Sequence, residues 1–94
     1  MYRIIDDRGS GKTGRLMLLA KENGATFVCS NPEAMQVKAK AYGIEGINFV
    51  SYQDFIHTYD PDIKTYMVDE LETFVKYIFA SGPNLIGYTL SQND

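Results

Sequence analysis

Two short runs hold side chains able to do phosphate and metal chemistry. In Gly9-Ser10-Gly11-Lys12-Thr13 the glycines let successive backbone N–H groups curl around an anion without side-chain clash. Lys12 adds a full positive charge that can reach the terminal phosphates of a nucleotide, and the Thr13 hydroxyl can ligate a magnesium ion. In Met67-Val68-Asp69-Glu70, Asp69 can hold Mg²⁺ through water while Glu70 orients a nucleophilic water. Each run also has a plainer reading: a glycine-rich turn with an exposed lysine, and an acidic first helical turn. Position decides between them. The glycine loop must lie between a strand and a helix, and the acidic pair at a strand's carboxyl end.

The pattern of the chain predicts both placements. Residues 2–5 are β-prone and residues 6–11 break them. From Lys12, the residues Leu16, Leu18, Leu19 and Ala20 suit a helix that Gly24 ends. Residues 25–29 read as a buried strand. Asn31 then caps and Pro32 opens a helix closed by Gly43, with Ala34, Val37, Ala39 and Ala41 on its apolar face. A third strand over 47–50 is followed by a turn or short helix over 52–56 and a polar loop over 58–63. Residues 64–68 form a fourth strand that delivers Asp69 and Glu70. Leu71, Phe74, Val75, Ile78 and Phe79 mark an amphipathic helix stopped by Gly82-Pro83, and 85–90 reads as a fifth strand. Tyr2, Phe27, Phe49, Tyr66, Phe74 and Phe79 are the expected core aromatics. Strands alternating with helices predict right-handed βαβ units and ligands bound beyond the carboxyl ends of the strands.

Composition bounds the remaining classes. The 94 residues show no repeat or linker and read as one domain over 1–94. At 45% hydrophobic and 22% charged the chain is not of the disordered type. No apolar run approaches the roughly 18 residues of a membrane span, and Met1-Tyr2-Arg3-Ile4-Ile5 is unlike a signal peptide. A single cysteine, Cys29, excludes an internal disulfide framework and suits a reducing cytoplasm. Residues 1–43 carry a net +3 and residues 44–94 a net −6. A basic front half leaves room for a local anion site, while the acidic whole argues against a general nucleic-acid coat protein. His57 has no second histidine or cysteine to form a metal set and reads as a structural or surface residue. Cys29 reads as packing, and Lys38 and Lys40 as a solvated face.

With both runs on these elements the chain resembles the P-loop NTPase superfamily. Gly9-Ser10-Gly11-Lys12-Thr13 is similar to the end of a Walker A motif, and Met67-Val68-Asp69-Glu70 to a Walker B motif with an extra glutamate. That glutamate, and a strand between the motifs, resemble the RecA-like branch that includes helicases and phage DNA-packaging motors. Cys29-Ser30-Asn31-Pro32 stands where helicase-like and terminase-like domains carry a nucleic-acid motif. The resemblance, which extends to small P-loop proteins of phages and prophages, spans nearly the whole chain. It implies an α/β three-layer sandwich with a mostly parallel five-stranded sheet in the order 1-5-4-2-3.

Residue by residue, the resemblance implies backbone donors at Gly9, Ser10 and Gly11, Lys12 on the β- and γ-phosphates, and Thr13 and Asp69 on magnesium. Glu70 becomes the base that activates water, and Thr89 or Ser91 the γ-phosphate sensor. Asp6 departs from the pattern: it replaces the loop's usual first glycine with a carboxylate, whose repulsion of a polyanion Arg8 can offset. Arg3, Arg8 and Arg15 are the only arginines, so an arginine finger is expected from a second subunit or a protein partner. The expected function is magnesium-dependent ATP binding with weak, partner-dependent hydrolysis in phage or mobile-element DNA metabolism. A nucleotide-binding regulatory module without turnover and a degenerate fold without ligand are the alternatives.

Overall fold

A computed structural model of the chain describes residues 1–5, 9, 11–58, 60–80, 86–87 and 89, and its elements begin and end where local chemistry dictates. Helix α1 (Lys12–Asn23) follows Gly11 at φ 83° and stops at Gly24 at φ 62°, whose N–H bonds back to the carbonyls of Ala20 and Lys21. Both angles lie in the left-handed region that glycine enters freely. Strand β1 (Thr26–Cys29) is buried at all four positions. Helix α2 (Pro32–Ala41) is capped by Asn31, whose side chain accepts from the Ala34 N–H at 3.2 Å. After β2 (Phe49–Ser51), the Ser51 hydroxyl accepts from the Asp54 N–H at 3.0 Å and caps α3 (Tyr52–His57). Strand β3 (Tyr66–Val68) and helix α4 (Leu71–Ile78) complete the described elements.

The strands form a parallel sheet in the order β2-β1-β3, with Val28 in register with both Val50 and Val68. From β1 the chain runs outward through α2 to β2, then returns across β1 through α3 to β3. Right-handed crossovers in opposite directions put their helices on opposite faces. Alternation along the strand does the rest. Phe27 and Cys29 meet Met17 and Ala20 of α1 and Met35 and Ala39 of α2 in one core cluster. Tyr66 is in register with Thr26, so its ring contact with Phe55 at 4.6 Å places α3 on the other face. Helix α4 joins that face through Phe74, 5.1 Å from the ring of Tyr52. Among the described residues no helix is long and apolar enough to cross a membrane.

The expected five-stranded sandwich in the order 1-5-4-2-3 is not what forms. Among the described residues the sheet has three strands, drawn from the second, third and fourth expected segments, with four helices around it. Residues 2–5 lie in no strand, and Tyr2 and Ile5 are 58% and 84% exposed. In the expected order that segment meets the sheet only through the fifth strand. Of the fifth strand, Leu85, Tyr88 and Leu90 lie outside the described residues, and Ile86, Gly87 and Thr89 are in no strand. No described ladder therefore reaches residues 2–5, and β-propensity without a pairing partner and a covered face does not hold a strand.

Two apolar faces also differ from their expected composition. Helix α2 buries Met35 and Ala39 and leaves Val37 70% exposed, because its inward face is turned from the expected one. Of the expected core aromatics, Phe27 is fully buried, while Tyr2, Tyr66 and Phe79 are more than half exposed. Tyr52, at the start of α3, takes an inner position instead.

Candidate functional site

Parallel strands bring their carboxyl ends to one edge. The crossovers run to β2 on one side of β1 and to β3 on the other, and in such sheets ligands bind beyond the carboxyl ends where the direction reverses, here between β1 and β3. Asp69 stands there: its N–H donates to the Val28 carbonyl at 2.9 Å, extending the ladder one residue beyond β3. The Thr13 hydroxyl donates to the Asp69 carboxylate (Oγ1 to Oδ1, 3.1 Å), linking the first turn of α1 to the end of β3 across 56 positions of sequence.

The local electrostatics suit an anion beside a cation. Helix α1 has no acidic residue in its first turn and no side-chain cap, so its leading N–H groups keep their partial positive charge. Gly9 at φ 85° and Gly11 at φ 83° give the approach to α1 a left-handed backbone where a side chain would be strained. Burial raises the Asp69 pKa above 3.8, with the Glu70 charge adding to that rise. The Thr13 hydrogen bond and the positive charges of Lys38 and Lys12 oppose it.

Two further titratable groups line this edge. Burial, then the Asp69 charge, pushes the Cys29 thiol up to about 11, while the Asn31 N–H opposes the rise. Its Sγ lies 3.8 Å from the Val50 carbonyl, so Cys29 is a protonated packing group. Burial, followed by the charges of Asp69, Cys29 and Glu70, pushes the Tyr52 phenol up to about 12. Tyr52 donates to the backbone carbonyl of Asp69 at 2.5 Å, and the carbonyl of Glu70 lies 3.3 Å away.

The structure thus brings together Lys12, Thr13, Asp69 and Glu70, with Gly11 at the mouth of α1. Ser10, Asp6, Arg8 and Ser91 lie outside the described residues, and Thr89 is exposed and in no strand. His57 is exposed at the end of α3. Lys38, read from sequence as a solvated face, is exposed but its charge acts on Asp69. Tyr52 is the residue that sequence reasoning misses. Its signal is placement alone, an aromatic directly after a strand whose carboxyl end faces the two motifs.

Among the described residues no group of three or more His, Cys, Asp and Glu side chains gathers as a metal cage. A nucleotide-bound magnesium ion requires none, since it keeps several waters and takes one or two protein oxygens beside the phosphates. A hydroxyl and a carboxylate in contact, at the positive end of an uncapped helix, fit that requirement. Compared with protein-family models, curated proteins and solved structures, the chain matches none of them, so the reading of this edge rests on its own residues and geometry.

Proposed function

We propose that this chain binds a nucleoside triphosphate with magnesium at the carboxyl edge of its sheet. The observation that carries the reading is the Thr13–Asp69 hydrogen bond at 3.1 Å, which joins the two motifs in one place. In this reading the backbone N–H groups at the start of α1 and the Lys12 ammonium bind phosphate oxygens. Thr13 and Asp69 hold the magnesium ion, which would neutralise phosphate charge when bound. Glu70, exposed beside them, accepts a proton from water. Phosphoryl transfer needs a further positive group, which a second subunit or a protein partner supplies, so turnover by the isolated chain is slow. The one cysteine, Cys29, is free, which suits a reducing, cytoplasmic setting.

Lys12→Ala weakens Mg-ATP binding at least tenfold, about 1.4 kcal/mol, because the one charged side chain in Gly9-Ser10-Gly11-Lys12-Thr13 is lost from a set of backbone donors. Isothermal titration of both proteins reads this directly, and a parallel titration with Mg-GTP reads base preference. Equal affinity in two folded proteins overturns the phosphate-loop reading.

A further inference from the structure

Tyr52 packs like a core residue yet carries a hydroxyl into the site. It is 5% exposed, with its ring against Phe74 at 5.1 Å and Tyr77 at 6.1 Å. A phenylalanine would fill the same space, and a buried hydroxyl is costly unless it is bonded. Here the hydroxyl donates to the Asp69 carbonyl at 2.5 Å, with the Glu70 carbonyl at 3.3 Å. Those two carbonyls flank an unusual bend. Glu70 is the one described non-glycine residue with positive φ, at 58°, a left-handed conformation that strains a residue with a side chain.

The bend is fixed from three directions. The Asp69 N–H continues the sheet ladder to Val28 at 2.9 Å, and the Phe74 N–H opens α4 by donating to the Glu70 carbonyl at 3.1 Å. Between these anchors the chain must leave strand geometry within one residue. The Tyr52 hydroxyl bonds the backbone there, on the same residue whose carboxylate meets Thr13.

We propose that Tyr52 is a positioning residue of the magnesium site, its hydroxyl clasping the left-handed turn at Asp69 and Glu70 so that the Asp69 carboxylate stays aimed at Thr13. The proposal rests on the nucleotide reading above. It makes a claim of its own: the hydroxyl, not the ring, sets how much magnesium adds to nucleotide affinity. Groups that orient a metal ligand without touching the metal are worth about 10–100-fold in metal affinity.

The test titrates ATP in magnesium and in EDTA and compares the ratio of the two affinities between variants. In Tyr52→Phe the ratio falls about tenfold while the affinity in EDTA is unchanged. Tyr77→Phe, which removes the neighbouring hydroxyl, leaves the ratio as in wild type. Glycine adopts the left-handed turn without strain, so adding Glu70→Gly to Tyr52→Phe restores the ratio to that of Glu70→Gly alone. That rescue would not follow from a general structural role. An unchanged ratio in Tyr52→Phe overturns the positioning role and leaves the nucleotide reading standing. Loss of folding, or equal weakening in magnesium and EDTA, makes the hydroxyl a general structural group and also overturns it. A wild type that binds no ATP overturns the nucleotide reading and this proposal with it.

Discussion

Asp69→Asn makes the ligand-free protein more stable at pH 7 while removing most of what magnesium adds to ATP affinity. The amide keeps an oxygen that can accept from the Thr13 hydroxyl but carries no charge to desolvate. The sign follows from linkage. Burial raises the folded pKa of Asp69 above its unfolded value of 3.8, so between the two values the native state binds the proton more tightly. The wild-type contribution is fully present below pH 3.8 and is lost as pH rises through the raised folded pKa. The stability difference between variant and wild type therefore shrinks on acidification through that range and is largest near neutrality. Affinity for ATP in magnesium falls about 10–100-fold, and affinity in EDTA does not fall. Urea unfolding at several pH values and titration in the two buffers read both effects. A variant that is less stable at pH 7, or that keeps the full magnesium gain, contradicts this account of Asp69.

Phe27→Ala has the largest expected effect on stability, a loss of about 3–5 kcal/mol. Phe27 is fully buried on the central strand, edge-on to Phe49 at 5.3 Å, and packs with Met17, Met35 and Ala39 in one cluster. Its removal opens a cavity under both α1 and α2 that neither sheet edge can collapse to fill. Domains of this size hold about 5–15 kcal/mol in total, so the loss takes a large share of the whole. Phe27→Leu, which keeps most of the volume, costs far less. The denaturation midpoint of each variant checks the ordering, and equal losses for alanine and leucine would contradict the packing argument.

What the sequence makes legible is what local chemistry or continuous burial decides. Gly24 ends α1 because its φ of 62° suits glycine, and Asn31-Pro32 opens α2 because a cap and a missing N–H fit that position. The run over 25–29 reads as a strand because β1 is covered on both faces and paired on both edges. The position of Asp69 at the carboxyl edge is legible because parallel strands collect their carboxyl ends there, whereas the glycine run meets it from the start of α1 with no described strand before it.

The illegible parts depend on partners distant in sequence. Residues 2–5 have the composition of a strand, but composition does not supply a neighbour to pair with. The face that α2 buries is set by how the helix rolls on Phe27 and Cys29, which brings Met35 inward and leaves Val37 out. Tyr52 reaches the Asp69 carbonyl only when β2 and β3 line up on either side of β1, so no periodicity within 52–57 announces that contact.

Amide chemical shifts during a Mg-ATP titration report directly on whether Mg-nucleotide occupies the proposed position between the start of α1 and the end of β3. Saturable shifts are expected at Gly9, Gly11, Lys12, Thr13, Asp69 and Glu70, and those at Asp69 and Glu70 are lost when EDTA replaces magnesium. An absence of saturable shifts, or shifts centred away from that edge, as around Lys40 and Gly46, would contradict that placement.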